Sequence, residues 1–103
     1  MIDKTVILET VLKKLDSLPV GDYLDVRSYK RNRSIIIVKR SRDTYLLIQD
    51  GFEKSRVETK EEKLRPLLKK LFKTEFPRSQ KLRVYTLRQW SEDHTAVMDR
   101  KKI

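Results

Sequence analysis

The chain has 103 residues, a length that suits one domain with one core, and 25 Lys and Arg against 15 Asp and Glu leave a net charge of +10. Cysteine is absent, which excludes disulfides, thiolate metal sites and a cysteine nucleophile. The longest apolar run, Ile35 to Val38, falls far short of the ~20 residues of a membrane span, and MIDKTVILETVLKK lacks the pattern of a signal peptide, so a soluble cytoplasmic protein with no membrane partner is expected.

Asp3 is placed to cap a first helix in which Val6, Leu8, Val11, Leu12, Leu15 and Leu18 recur mostly at i, i+3, i+4 spacing, opposite Glu9, Lys13, Lys14 and Asp16. Pro19-Val20-Gly21 ends it. In residues 23–29, YLDVRSY, Leu24 and Val26 alternate with Tyr23, Asp25, Arg27 and Tyr29, which predicts a half-buried strand, and KRNR reads as a turn. Residues 34–40 and 44–50, SIIIVKR and TYLLIQD, are apolar at consecutive positions, as central strands are. Asp50-Gly51 marks a turn, and EKSRVET predicts a short polar edge strand.

Thr59-Lys60-Glu61-Glu62 matches a helix capping box. The helix it opens carries Leu64, Leu67, Leu68, Leu71 and Phe72 on one face and Lys63, Lys69, Lys70 and Lys73 on the other. Pro66 predicts a kink or a later start, because a mid-helix proline costs about 3 kcal/mol. Beyond Phe76-Pro77-Arg78-Ser79, residues 81–88, KLRVYTLR, predict a last strand, and residues 91–103 a tail that is a short helix or mobile.

The order α-β-β-β-(β)-α-β predicts an α+β fold, one domain over residues 1–90, with two helices packed on one face of a mainly antiparallel sheet. Leu24, Val26, Leu82 and Val84 then face the helices, and Tyr23, Arg27, Tyr29, Arg83 and Tyr85 face away.

The surplus charge is concentrated. Residues 27–42 hold seven basic side chains and residues 76–90 hold four, with no acid in either window. High charge by itself fits thermal adaptation, but ion-pair networks need both signs and do not account for the surplus. The windows point to a nucleic-acid-binding domain, for RNA or DNA, that contacts phosphates through a basic stripe and has little sequence specificity. Lys30, Arg31, Arg33, Lys39, Arg40 and Arg42 are the expected phosphate contacts, Arg27, Arg83 and Arg88 extend the path, and Tyr29 and Tyr85 are candidates for stacking on bases. A protein-interaction module with an acidic protein partner, or a homodimer, is the alternative.

No catalytic residue, metal ligand set or cofactor motif is expected. His94 is the only histidine, and Gly21 and Gly51 are the only glycines, so a histidine pair and a Gly-rich phosphate loop are excluded. Trp90 is expected to pack on the core.

Two families share the element order. Over residues 3–75 the chain resembles the double-stranded RNA-binding domain, which presents lysines at the start of its second helix; Thr59-Lys60-Glu61-Glu62 stands there in this chain, and Lys69, Lys70 and Lys73 come two turns later. The order is also similar to the core of the PD-(D/E)xK nucleases, with Asp50, Glu58-Thr59-Lys60 and Glu9 in the places of the acids and the lysine. That likeness implies divalent-metal-dependent hydrolysis, whereas the overlap of Glu58-Thr59-Lys60 with the capping box favours a structural role for it.

Overall fold

Strands apolar at consecutive positions need cover on both faces, and the two such runs of the sequence lie inside the sheet, each with a strand on either side. In the computed structural model, which describes residues 2–28, 33–50, 54–77 and 81–90, the elements are β1 (Ile2–Asp3), α1 (Ile7–Ser17), β2 (Tyr23–Ser28), β3 (Ser34–Lys39), β4 (Thr44–Asp50), β5 (Lys54–Lys60), α2 (Glu61–Glu75) and β6 (Lys81–Leu87). The strands form one antiparallel sheet in the order β1-β6-β2-β3-β4-β5. This is the expected α+β architecture with an added first strand. The expectations for Tyr29, Lys30, Arg31, Gly51, His94 and residues 91–103 lie outside the described residues.

Both helices cover one face. Ile7, Val11, Leu15 and Leu18 from the first helix segment and Leu64, Leu68, Phe72 and Phe76 from the second close over Leu24, Val26, Ile35, Ile37, Tyr45, Leu47 and Leu82. Each buried α1 position follows the last by four residues, so the stripe is narrower than the sequence pattern implies and Val6 stays exposed. On the other face Tyr23, Ile36, Val38, Leu46 and Ile48 form a second buried cluster, with Trp90 packed against it. No helix among the described residues is long and apolar enough to cross a membrane.

Two expected caps are absent, for the same reason. Asp3 pairs with Lys81 in the sheet, and its Oδ1 accepts from the backbone N–H and hydroxyl of Thr5 at 3.0 and 2.9 Å. Strand pairing thus holds Asp3 short of the helix, which begins after Val6 with no side-chain cap. Likewise β5 pairs with β4 as far as Lys60 opposite Thr44, so Thr59 keeps strand geometry. The first helical N–H, of Glu61, donates instead to the Asp43 carbonyl at 2.7 Å. Pro66 sits within α2, which runs unbroken from Glu61 to Glu75. Its ring lies on the exposed side, where water can take up the Glu62 carbonyl that a proline leaves without a donor.

Charged side chains tie the layers together. Lys39 Nζ donates to the Leu15 and Asp16 carbonyls at the end of α1, at 2.9 and 3.3 Å, where a helix has unsatisfied acceptors and a partial negative charge. At the end of α2, buried Glu75 accepts from Gln49 Nε2 at 2.7 Å, and Gln49 Oε1 accepts from Ser55 at 2.9 Å. Arg65 of α2 is hydrogen-bonded to Glu9 of α1. That bond holds the Glu9 carboxyl below its ordinary 4.5. A depressed carboxylate contributes stability above its unfolded value and loses it as pH falls through the folded one. An NMR titration should therefore place the Glu9 midpoint below 4.5, and Arg65→Gln should return it toward that value; a midpoint unmoved by the substitution would refute the brace.

Candidate nucleic-acid interface

Side-chain alternation and register decide which basic residues share the outer face, opposite α1 and α2. β6 lies beside β2, so the two acid-free windows become neighbours: Arg27 is directly opposite Arg83, Asp25 opposite Tyr85 and Tyr23 opposite Leu87. Like charges directly opposite in a sheet repel. The neighbouring Asp25 offsets part of that repulsion, since its Oδ2 accepts from Arg27 Nε at 2.8 Å while the carboxylate itself is buried and Arg27 keeps about a quarter of its side chain exposed.

Tyr85 and Leu87 continue the row and are exposed, and Arg88, also exposed, follows directly after the strand. Lys81 begins it and is also exposed, which makes β6 a basic and aromatic strand along its outer side. At the end of the row, the chain turns back onto the sheet. Gly21 adopts a φ of +97°, a conformation open to glycine at little cost. Its N–H donates to the Lys39 carbonyl and its carbonyl accepts from the Trp90 N–H, both at 2.7 Å. Trp90 then meets the Tyr23 ring edge-on, with centroids 5.0 Å apart and planes at 78°. The expectation that Trp90 packs on a core is met, though on the outer cluster and not beneath the helices. Burial pushes the Tyr23 phenol above its ordinary range, with the Asp25 charge adding to it. Buried Tyr23 therefore serves as packing, and Tyr85 is the exposed ring.

The remaining expected contacts divide. Arg42 is exposed in the β3–β4 turn, at the same end of the sheet as Arg88. Arg40 leaves that turn toward β5 and pairs with Glu58 at 3.3 Å. Lys39 is a correction: it is buried on the helix face with its ammonium spent on α1 carbonyls, because the strand's alternation turns position 39 inward with 35 and 37. Arg33 also turns to the helix side, where its guanidinium donates to the Glu75 carbonyl at 3.3 Å. Tyr29, Lys30 and Arg31 are outside the described residues. Lys81, and Lys54, Arg56 and Lys60 of β5, are outer-face cations that the acid-free windows did not single out; counting every second residue of each strand would have found them.

The nuclease-like set does not converge. Glu58-Thr59-Lys60 closes β5, in a strand as the likeness requires, and its Lys60 is the residue from which α2 starts. Asp50 pairs with Lys54 and Leu46 with Glu58, so the two acids are four ladder steps apart, about 13 Å at 3.3 Å per residue. Glu9 belongs to the helical layer, where Arg65 holds it. Among the described residues no group of three His, Cys, Asp or Glu side chains is arranged to hold a metal ion. No protein-family model, curated protein or solved structure matches the chain.

Proposed function

We propose that the protein binds nucleic acid, with little sequence preference, along the outer side of β2 and β6. One observation carries the reading: the sheet register sets Arg27 opposite Arg83, with the exposed Tyr85 two residues further along the same strand face. Two guanidiniums side by side form a fork for phosphate oxygens. An aromatic ring beside them suits an unpaired base, which stacks for about 1–3 kcal/mol whatever its identity. Lys81, Arg88 and Arg42 extend the positive path to both ends of the strands, and no base-reading groove or element is needed for contacts of this type.

The test is a titration of labelled single-stranded and duplex oligonucleotides at several salt concentrations. Arg27 is unsuitable for substitution, because its guanidinium is already paired with the buried Asp25 carboxylate. Arg83→Gln and Arg88→Gln should each weaken binding of all sequences and lower the log–log salt slope by about one, whereas Tyr85→Ala should weaken single strands more than duplex and leave the slope unchanged. Trp90, the only tryptophan, supplies a fluorescence signal at the edge of the site. Absence of binding at low salt, or binding indifferent to all three variants, sinks the proposal. Binding of an acidic protein and not of oligonucleotides would support the alternative partner.

A further inference from the structure

β5 is a sheet edge of an unusual kind. It pairs with β4 without interruption over seven residues, from Asp50 opposite Lys54 to Thr44 opposite Lys60. All of its residues are exposed except Thr59, which is half-buried, and Val57 keeps 43% of its surface. Edges of soluble proteins are commonly kept short, bulged, covered, interrupted by proline or guarded by charge; this one is long, unbulged, free of proline and flanked by no other described strand, and its charges are of both signs, Lys54, Arg56, Glu58 and Lys60. The opposite edge is protected at its start by β1, which pairs with β6 at Ile2 and Asp3.

The side chains of β5 are arranged for a mate of their own kind. The outer row reads Lys54, Arg56, Glu58, Lys60, and the middle residue of the strand is Val57. We propose that β5 pairs antiparallel with β5 of a second copy of this chain, about a two-fold axis through Val57, joining two sheets into one. Full overlap of a seven-residue strand with itself centres on its fourth residue, so this register leaves no strand group hanging over. It sets Arg56 opposite Glu58 of the second copy, twice by symmetry, with Val57 on Val57 and Ser55 facing Thr59. Opposite charges, apolar pairs and hydroxyl pairs are the cross-strand combinations that stabilise sheets. A slip by one residue would mate outer with inner side chains. A slip by two shortens the overlap to five residues: centred on Glu58 it sets Glu58 against itself and Arg56 against Lys60, and centred on Arg56 it sets Arg56 against itself on the axis, although Lys54 then meets Glu58. Lys54 falls opposite Lys60 only at the two ends, in solvent. The Arg40–Glu58 pair is compatible, because a carboxylate accepts several hydrogen bonds.

The axis is perpendicular to the sheet, so the helices of both copies lie on one side and both outer faces on the other. The dimer does not depend on nucleic acid, and its test omits it. Sedimentation velocity over a concentration series should show the chain passing from monomer to dimer. Arg56→Glu and Glu58→Arg each convert both attractive pairs to repulsive ones and should move the midpoint to about tenfold higher concentration or beyond. An equimolar mixture of the two variants restores opposite charges at both positions, so it should form a heterodimer near the original midpoint. Circular dichroism of each variant separates loss of pairing from loss of fold. A chain that stays monomeric, reversals that leave the midpoint unmoved, or a mixture that fails to recover would each overturn the proposal.

Discussion

Ile37→Ala should lower stability by about 2–5 kcal/mol, the range for truncating a buried aliphatic side chain. Ile37 is fully buried in β3, flanked by Leu24 of β2 and Leu47 of β4 on the face that both helices cover. The cost combines the lost transfer of three methyl or methylene groups with a cavity that three strands and a helical layer cannot close. A domain of this size has roughly 5–15 kcal/mol in total, so the variant gives up a large share of it. Urea denaturation followed by circular dichroism should show a lower midpoint with an unchanged slope, and Ile37→Val a loss of about 0.5–1.5 kcal/mol. A loss below about 1 kcal/mol for the alanine variant would mean that the helical layer does not pack on β3 as described.

Trp90→Ala should destabilise by about 2–4 kcal/mol, somewhat less than a fully buried tryptophan because the ring is half-buried. Its indole is the aromatic cover of the outer cluster, meeting Tyr23 in the edge-to-face geometry that contributes about 0.5–1.5 kcal/mol beyond area burial. Trp90→Phe should recover more than half of the loss, since a smaller ring can still lie against Tyr23. The backbone anchor, Trp90 N–H to the Gly21 carbonyl, survives both changes and keeps the segment after β6 in place. Thermal unfolding of the three proteins provides the comparison, and near-identical midpoints for wild type and Trp90→Ala would show that the outer cluster needs no aromatic cover. If the cluster also shapes the nucleic-acid surface, Trp90→Ala weakens oligonucleotide binding at temperatures where the variant is still folded.

The sequence reads correctly wherever the deciding physics is local. Leu24 and Val26 alternate with polar neighbours, so their strand has an inner and an outer side whatever it pairs with. Leu64, Leu68 and Phe72 lie on one helical stripe, and the unbroken apolar runs 35–38 and 45–48 require cover above and below. The caps misread because Asp3 and Thr59 have the right chemistry for a helix start, yet each is claimed by a strand pairing with a distant residue, Lys81 and Tyr45. Lys39 misreads because a cation next to a basic turn looks exposed, and only the tertiary placement of the end of α1 beside it gives it two carbonyls to cap.

By itself, then, the chain determined the types of its elements other than β1, the apolar side of each, the interior place of β3 and β4 in the sheet, and two stretches from which acid is missing. Those properties follow from periodicity and composition, which a linear sequence carries in full. Only the tertiary structure decided that β6 enters the sheet beside β2, so that residues 56 apart in the chain, Arg27 and Arg83, stand opposite each other. It also decided that β5 is the edge strand among the described residues and that Trp90 packs on the outer face. Strand partnership is settled by the collective fit of long-range contacts, and no local signal in either strand specifies its mate.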